Sequence, residues 1–126
     1  MNAPIAKYTV LTAAVTLAFS AALAADDDGP IKKAMQYAHK APKGEKKVCE
    51  KIVEGTATDD EVKKTLDLYK AMAAEKAPKG EDAAFHAKVA KLITATEDVT
   101  AKKANASAGY KEAANCKACH SEHKPD

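Results

Sequence analysis

Arginine and tryptophan are missing from this chain of 126 residues, and aromatic side chains are scarce, with four Tyr and two Phe. Positive charge is therefore carried by lysine alone, a hydrated point charge without the planar fork that grips phosphate at two atoms. The 20 basic and 18 acidic side chains nearly cancel, to a formal net charge of +2. A mixed, near-neutral surface leaves no electrostatic footprint for nucleic acid, and none is expected as a partner. Also absent is any run of β-branched residues alternating with period two. Ala, Lys, Glu and Leu dominate instead, which predicts helices throughout. No low-complexity linker divides the chain.

What is present begins with an export signal. Lys7 is the only charged side chain before Asp26, and Val10 to Ala24 is an apolar stretch rich in Ala, Leu and Val. It ends in Ala22-Leu23-Ala24, a small-x-small cleavage pattern, followed by the acidic run Asp26-Asp27-Asp28. The stretch is short and alanine-rich for a membrane span. Residues 1–24 are expected to be a cleaved signal peptide, with no stable span afterwards and a periplasmic or otherwise exported product. Residues 25–126 are enough for one domain and no more.

Hydrophobic spacing divides that domain into helical segments. Pro30 suits the first turn of a helix carrying Ile31, Met35 and Ala38 on one face, ended by Pro42 and Gly44. A second segment from about Glu45 groups Val48, Cys49, Ile52 and Val53 before Gly55. Thr58-Asp59-Asp60-Glu61 has capping-box spacing and opens a helix with Val62, Leu66, Tyr69 and Met72, expected to end at Pro78 and Gly80. Glu81 and Asp82 favour the positive end of the next helix, whose inward face is Phe85, Val89, Leu92 and Ile93. The last helix is expected from about Thr100 to His123, with Gly109 its weak point. Ala41-Pro42-Lys43-Gly44-Glu45 recurs as Ala77-Pro78-Lys79-Gly80-Glu81. We read the echo as one turn chemistry used twice, Pro barring helix continuation and Gly accepting a left-handed backbone.

Five residues near the C-terminus carry the chemistry: Cys116-Lys117-Ala118-Cys119-His120. Two thiols three positions apart with an imidazole directly after the second form the attachment pattern for c-type haem. Each thiol can add across one haem vinyl group to give a thioether, leaving the imidazole as proximal iron ligand. A dithiol redox pair, or a zinc site completed by His120 and His123, is the alternative. No strand precedes the motif, as a redox pair would normally require, and four zinc ligands within eight residues of one helix crowd a small arc. The expected cofactor is one covalently attached haem c, held by Cys116 and Cys119 with His120 on the iron. A buried porphyrin would also supply apolar bulk that the aromatic-poor chain lacks.

A leader peptide, about a hundred helical residues, and the motif on the C-terminal helix resemble the cytochrome c′ family. That resemblance implies an all-α, antiparallel four-helix bundle enclosing the haem. It extends over essentially the whole chain after the leader, including a basic residue, Lys124, shortly after the haem histidine. Two departures are a shorter chain and a first helix without the arginine often found there. The resemblance also implies that the first helix passes over the distal haem face, which makes Met35 the candidate sixth ligand. Met35 as core filler, with an open iron, is the alternative. Dimerisation through the first two helices, as in many cytochromes c′, is a further implication.

Other residues have weaker claims. His39 lies one turn beyond Met35 and is a second ligand candidate, or a partner of solvent or a haem propionate. Met72 is expected in the core and His86 on the surface, while His123 shares a helix with the proximal ligand and suits a packing role. Cys49, left over after two thioethers, is expected as a buried thiol among Val48, Ile52 and Val53, with an intermolecular disulfide the alternative. Two functions remain. One is one-electron transfer with redox partner proteins met by the lysine surface; the other is binding of nitric oxide or carbon monoxide at a five-coordinate iron. No acid/base constellation accompanies the motif, so the chain is not expected to be an enzyme.

Overall fold

The computed structural model describes residues 28–126, and the expected signal peptide lies outside the described residues. Six helices follow in order: α1 (Pro30–Ala38), α2 (Val48–Glu54), α3 (Asp59–Met72), α4 (Asp82–Thr100), α5 (Ala106–Ala113) and α6 (Cys116–His123). Among the described residues there is no strand, so the fold is all-α as composition and periodicity predict. None of these helices is long and apolar enough to cross a membrane.

Helix α1 packs on α3, α3 on α4, and α4 on α5, while the short α2 lies against α5 and α6 against α4. The core they enclose includes Ala34, Ala38, Ile52, Val62, Tyr69, Met72, Phe85, Val89, Leu92 and Tyr110. Full burial of side chains of the Ile, Phe or Met size contributes about 1.5–3 kcal/mol each. The expected inward faces of α3 and α4 are thus observed, with Ile93 only half-buried. Thr65 and Thr96 sit fully buried in the same faces. Each spends its hydroxyl on the carbonyl one turn back, Glu61 O at 2.8 Å and Leu92 O at 2.6 Å.

Local chemistry explains the element ends. Thr58 and Glu61 form the predicted capping box: the Thr58 hydroxyl accepts from Glu61 N at 3.1 Å, and the Glu61 carboxylate accepts from Thr58 N at 2.9 Å. Glu61 also meets Lys51 Nζ at 2.8 Å, tying α2 to the start of α3. The two echoed turns both place glycine at positive φ, +92° at Gly44 and +78° at Gly80, as expected.

Three boundaries differ from expectation. Helix α2 begins at Val48 rather than near Glu45, because the Glu50 side chain folds back to accept from Lys47 N and fixes the start there. Helix α3 stops at Met72, well before Pro78. The chain then turns with short-range bonds from Ala74 and Glu75, and His86 on α4 donates to the freed Glu75 carbonyl at 2.8 Å. The expected single helix from Thr100 to His123 is instead the end of α4, a turn, α5 and α6. Lys102 and Asn105 both take left-handed backbone angles in the turn. The second break falls at Ala114–Asn115, while Gly109 lies undisturbed inside α5.

Candidate functional site

Asn115 decides where the motif sits. Its side chain accepts a hydrogen bond from Ala118 N at 3.1 Å, so it ends the run of α5 and starts α6 with Cys116 at its first position. Cys116, Cys119 and His120 then occupy helix positions i, i+3 and i+4, which share one face. Cys116 and His120 are exposed and Cys119 is half-buried; all three cysteines of the chain are free thiols. Burial raises the Cys119 pKa above that of an ordinary thiol.

These three side chains line a cavity of about 400 Å³ that draws on α1, the end of α3, the first half of α4, the end of α5 and α6. Ile31, Met35 and His39 enter it from α1, Met72 from α3, and Phe85 and Leu92 from α4. The volume lies within the range of small-molecule and cofactor sites, and the walls have the usual apolar character with a few polar groups. Met35 and the motif, separated by some eighty positions in sequence, therefore line one space. Lys40 and Lys124 line it as well, and neither ammonium group has a partner among the described residues. Larger grooves of about 650 and 750 Å³ lie beside the α4–α5 turn, but neither reaches Met35 or His120.

His123 fastens α6 to the rest of the fold. Only 3% of its surface is exposed; its Nδ1 donates to Lys79 O at 2.9 Å, and its ring meets Phe85 edge-on with centroids 5.5 Å apart. With the proton on Nδ1, Nε2 presents a lone pair toward Lys88 Nζ at 3.4 Å. Lys88 also pairs with Glu122 at 2.6 Å and so ties α4 to α6. Both nitrogens of His123 are therefore engaged, which removes it as a partner of His120 on zinc. Among the described residues no three His, Cys, Asp or Glu side chains are gathered as a metal site. The predicted packing role of His123 is what the structure gives it.

The other sequence candidates separate clearly. Met72 is 3% exposed and belongs to the core as expected, though it also borders the cavity. His86 is exposed, and Cys49 is half-buried rather than buried, its thiol pKa raised chiefly by burial and next by nearby Cys116. His39 accepts or donates through Nε2 at 2.8 Å from the Tyr69 hydroxyl, which in turn lies 2.7 Å from the Tyr110 hydroxyl. Burial, with the charges of His120 and Lys47 behind it, pushes the His39 pKa down to about 4. Sequence reasoning placed Tyr69 on a helix stripe and passed over Tyr110. The available signal was that three tyrosines survive in so aromatic-poor a domain and that two of them end up fully buried.

No protein-family model matches the chain, and neither a curated protein nor a solved structure shows significant similarity to it.

Proposed function

We propose that the chain is an exported single-haem c-type cytochrome that carries one-electron transfer in the periplasm. The observation that carries the reading is the convergence of Cys116, Cys119 and His120 with Met35 on one apolar cavity. The residues fit the group. Two thiols lie within one helical turn, an imidazole is next to the second, and a thioether-bearing side chain comes from a different helix. We read α1, α3, α4 and the α5–α6 arm as the four members of an antiparallel bundle around that cavity.

When bound, the haem would supply the reversible ferric–ferrous couple. The chain's own part is to hold and tune it. Cys116 and Cys119 would anchor it covalently to α6, and the Asn115 cap keeps both side chains on one face. His120 and Met35 would hold the iron through an imidazole nitrogen and a thioether sulfur, a donor pair that would raise its reduction potential. Met72, Phe85 and Leu92 keep water from the cavity's inner wall.

The gas-binding alternative uses the same apolar wall around an iron that Met35 leaves open. The absorption spectrum of the ferric and ferrous protein, with and without carbon monoxide, separates the two. Electron transfer through a six-coordinate iron predicts a low-spin ferrous spectrum unaffected by the gas. A high-spin spectrum converted by carbon monoxide refutes Met35 ligation, as does an unchanged spectrum in Met35→Ala.

A further inference from the structure

The hydrogen bonds behind His39 fix which of its nitrogens carries the proton. Tyr110 is fully buried, and its hydroxyl has one neighbour, the Tyr69 hydroxyl at 2.7 Å. The Tyr110 proton has no other acceptor among the described residues, so Tyr110 donates and Tyr69 accepts. The proton of Tyr69, also fully buried, is then committed to His39 Nε2 at 2.8 Å. Nε2 must present its lone pair, which leaves the imidazole proton on Nδ1. The opposite direction would strand the Tyr110 proton in the core, and buried donors are seldom left unpaired. The low pKa of His39 agrees, since it keeps the ring neutral with a single proton to place. Stacking of the His39 and Tyr69 rings, centroids 5.9 Å apart and planes 28° apart, restrains the imidazole further.

His39 thus lines the cavity with its Nε2 lone pair already used and an Nδ1–H that no described residue accepts. A protonated Nδ1 and an occupied Nε2 rule it out as an iron ligand in this arrangement. What it has to offer is a hydrogen-bond donor. Two further residues at the cavity's lining call for negative charge, the exposed Lys40 and Lys124, whose ammonium groups have no partner among the described residues. Lys40 follows His39 directly in sequence. An ammonium has no lone pair to give iron, whereas it pairs readily with a carboxylate.

We infer that the tyrosine pair locks His39 as an Nδ1–H donor to a haem propionate carboxylate, with Lys40 and Lys124 flanking that end of the cavity; this rests on the haem reading above. His39 then belongs to the cofactor-binding set, and Tyr69 and Tyr110 are positioning residues that act on the cofactor through it. Both do so although neither lines the cavity.

Two measurements on the haem-loaded protein test this. Histidine-selective 15N NMR of the ferrous form, or its carbonyl if the iron is open, reads the tautomer directly. The expected spectrum has His39 protonated at Nδ1 in the parent, and Tyr110→Phe releases that preference. Protonation at Nε2 in the parent overturns the inference. The second measurement is the reduction potential. Loss of the donor leaves the carboxylate charge less compensated and favours ferric iron. His39→Ala is therefore expected to shift the redox equilibrium by about tenfold, a fall of about 59 mV for one electron. His39→Asn, which keeps an N–H donor, recovers part of the fall, and Tyr110→Phe gives a smaller fall in the same direction. A purely structural role would lower thermal stability in these variants and leave their potentials equal to the parent's, which overturns the proposal. A chain whose mass lacks covalent haem overturns the haem reading and this inference together; a loaded chain with unmoved potentials overturns this inference alone.

Discussion

Replacement of Gly80 by alanine tests the fastening of α6 most directly, and Gly44 provides an internal control. Both glycines occupy the same Ala-Pro-Lys-Gly-Glu sequence and both have positive φ, +92° and +78°. An alanine forced into that region costs about 1–2 kcal/mol at either site. At Gly44 the added Cβ meets nothing within 4 Å, so the backbone term is the whole effect. At Gly80 the same atom would lie 2.9 Å from the Glu122 carbonyl and 3.2 Å from His123 Nδ1. The first contact is with backbone and cannot be relieved by a rotamer change. To make room, the end of α6 must withdraw from the α3–α4 turn, which stretches the 2.9 Å bond from His123 Nδ1 to Lys79 O. Leaving a buried polar group unpaired costs about 1–3 kcal/mol. Gly80→Ala is therefore expected to destabilise by roughly 2–5 kcal/mol and Gly44→Ala by about 1–2. For a domain of this size each kcal/mol lowers the melting temperature by about 4–8 °C. Thermal unfolding of the two variants beside the parent, followed by circular dichroism, gives the comparison. Equal losses at the two sites would refute the claim that the second turn is a seat for α6.

Three other outcomes follow from the same structure. Asn115→Ala removes the side chain that caps α6 and is expected to cost about 1 kcal/mol by thermal denaturation, with a lower fraction of chains carrying covalent haem by mass spectrometry. The half-buried His39 is held neutral, its pKa lowered from 6.5 to about 4 chiefly by desolvation, so the folded state binds fewer protons than the unfolded one between those values. Its contribution is complete above pH 6.5 and is lost as pH falls toward 4, up to about 3 kcal/mol at 1.36 kcal/mol per unit; His39→Asn should flatten that limb of stability against pH. Glu61, whose pKa is lowered first by its bond to Lys51 and then by Thr58 N, contributes above the usual carboxylate range and less as pH falls through its lowered value. Glu61→Gln should remove that dependence in acid denaturation.

The helical class, the capping box at Thr58 and the inward faces of α3 and α4 were legible because each is written in residues three or four apart. Helix ends that depend on distant partners were not. The stop after Met72 is held by His86, eleven positions beyond Glu75, and the seat of α6 depends on Gly80, more than forty positions upstream of His123. The break at Asn115 was readable in principle. An Asn directly before the motif is a good N-cap, but an alanine-rich approach on both sides reads as continuous helix. For the site, the spacing of the motif was legible in five adjacent residues, whereas the sharing of one cavity by Met35, His39 and Met72 needed three dimensions. The tautomer of His39 lay beyond sequence altogether, since it turns on which buried hydroxyl has no second neighbour.

The arrangement of α6 bears on the order of events in the proposed cytochrome. Covalent attachment needs both thiols within reach, and α6 leaves Cys116 and His120 exposed even in the folded chain. The helix is joined to α5 by the short break at Ala114–Asn115, and of the other helices only α4 packs on it substantially. Its hold on the remainder comes from Lys88, which donates to Ala118 O at 3.2 Å and pairs with Glu122, and from His123 on Lys79 O. Cys116 opens this eight-residue helix, whereas Glu122 and His123, which meet Lys88 and Lys79, close it. In the proposed cytochrome, thioether formation would proceed at the first turn before the last turn seats against Gly80. On this ordering Gly80→Ala should lower thermal stability far more than it lowers the yield of haem-bearing chains. Asn115→Ala, which disturbs the first turn, should do the reverse. A Gly80→Ala protein that loses haem in proportion to its stability would show that fastening precedes attachment.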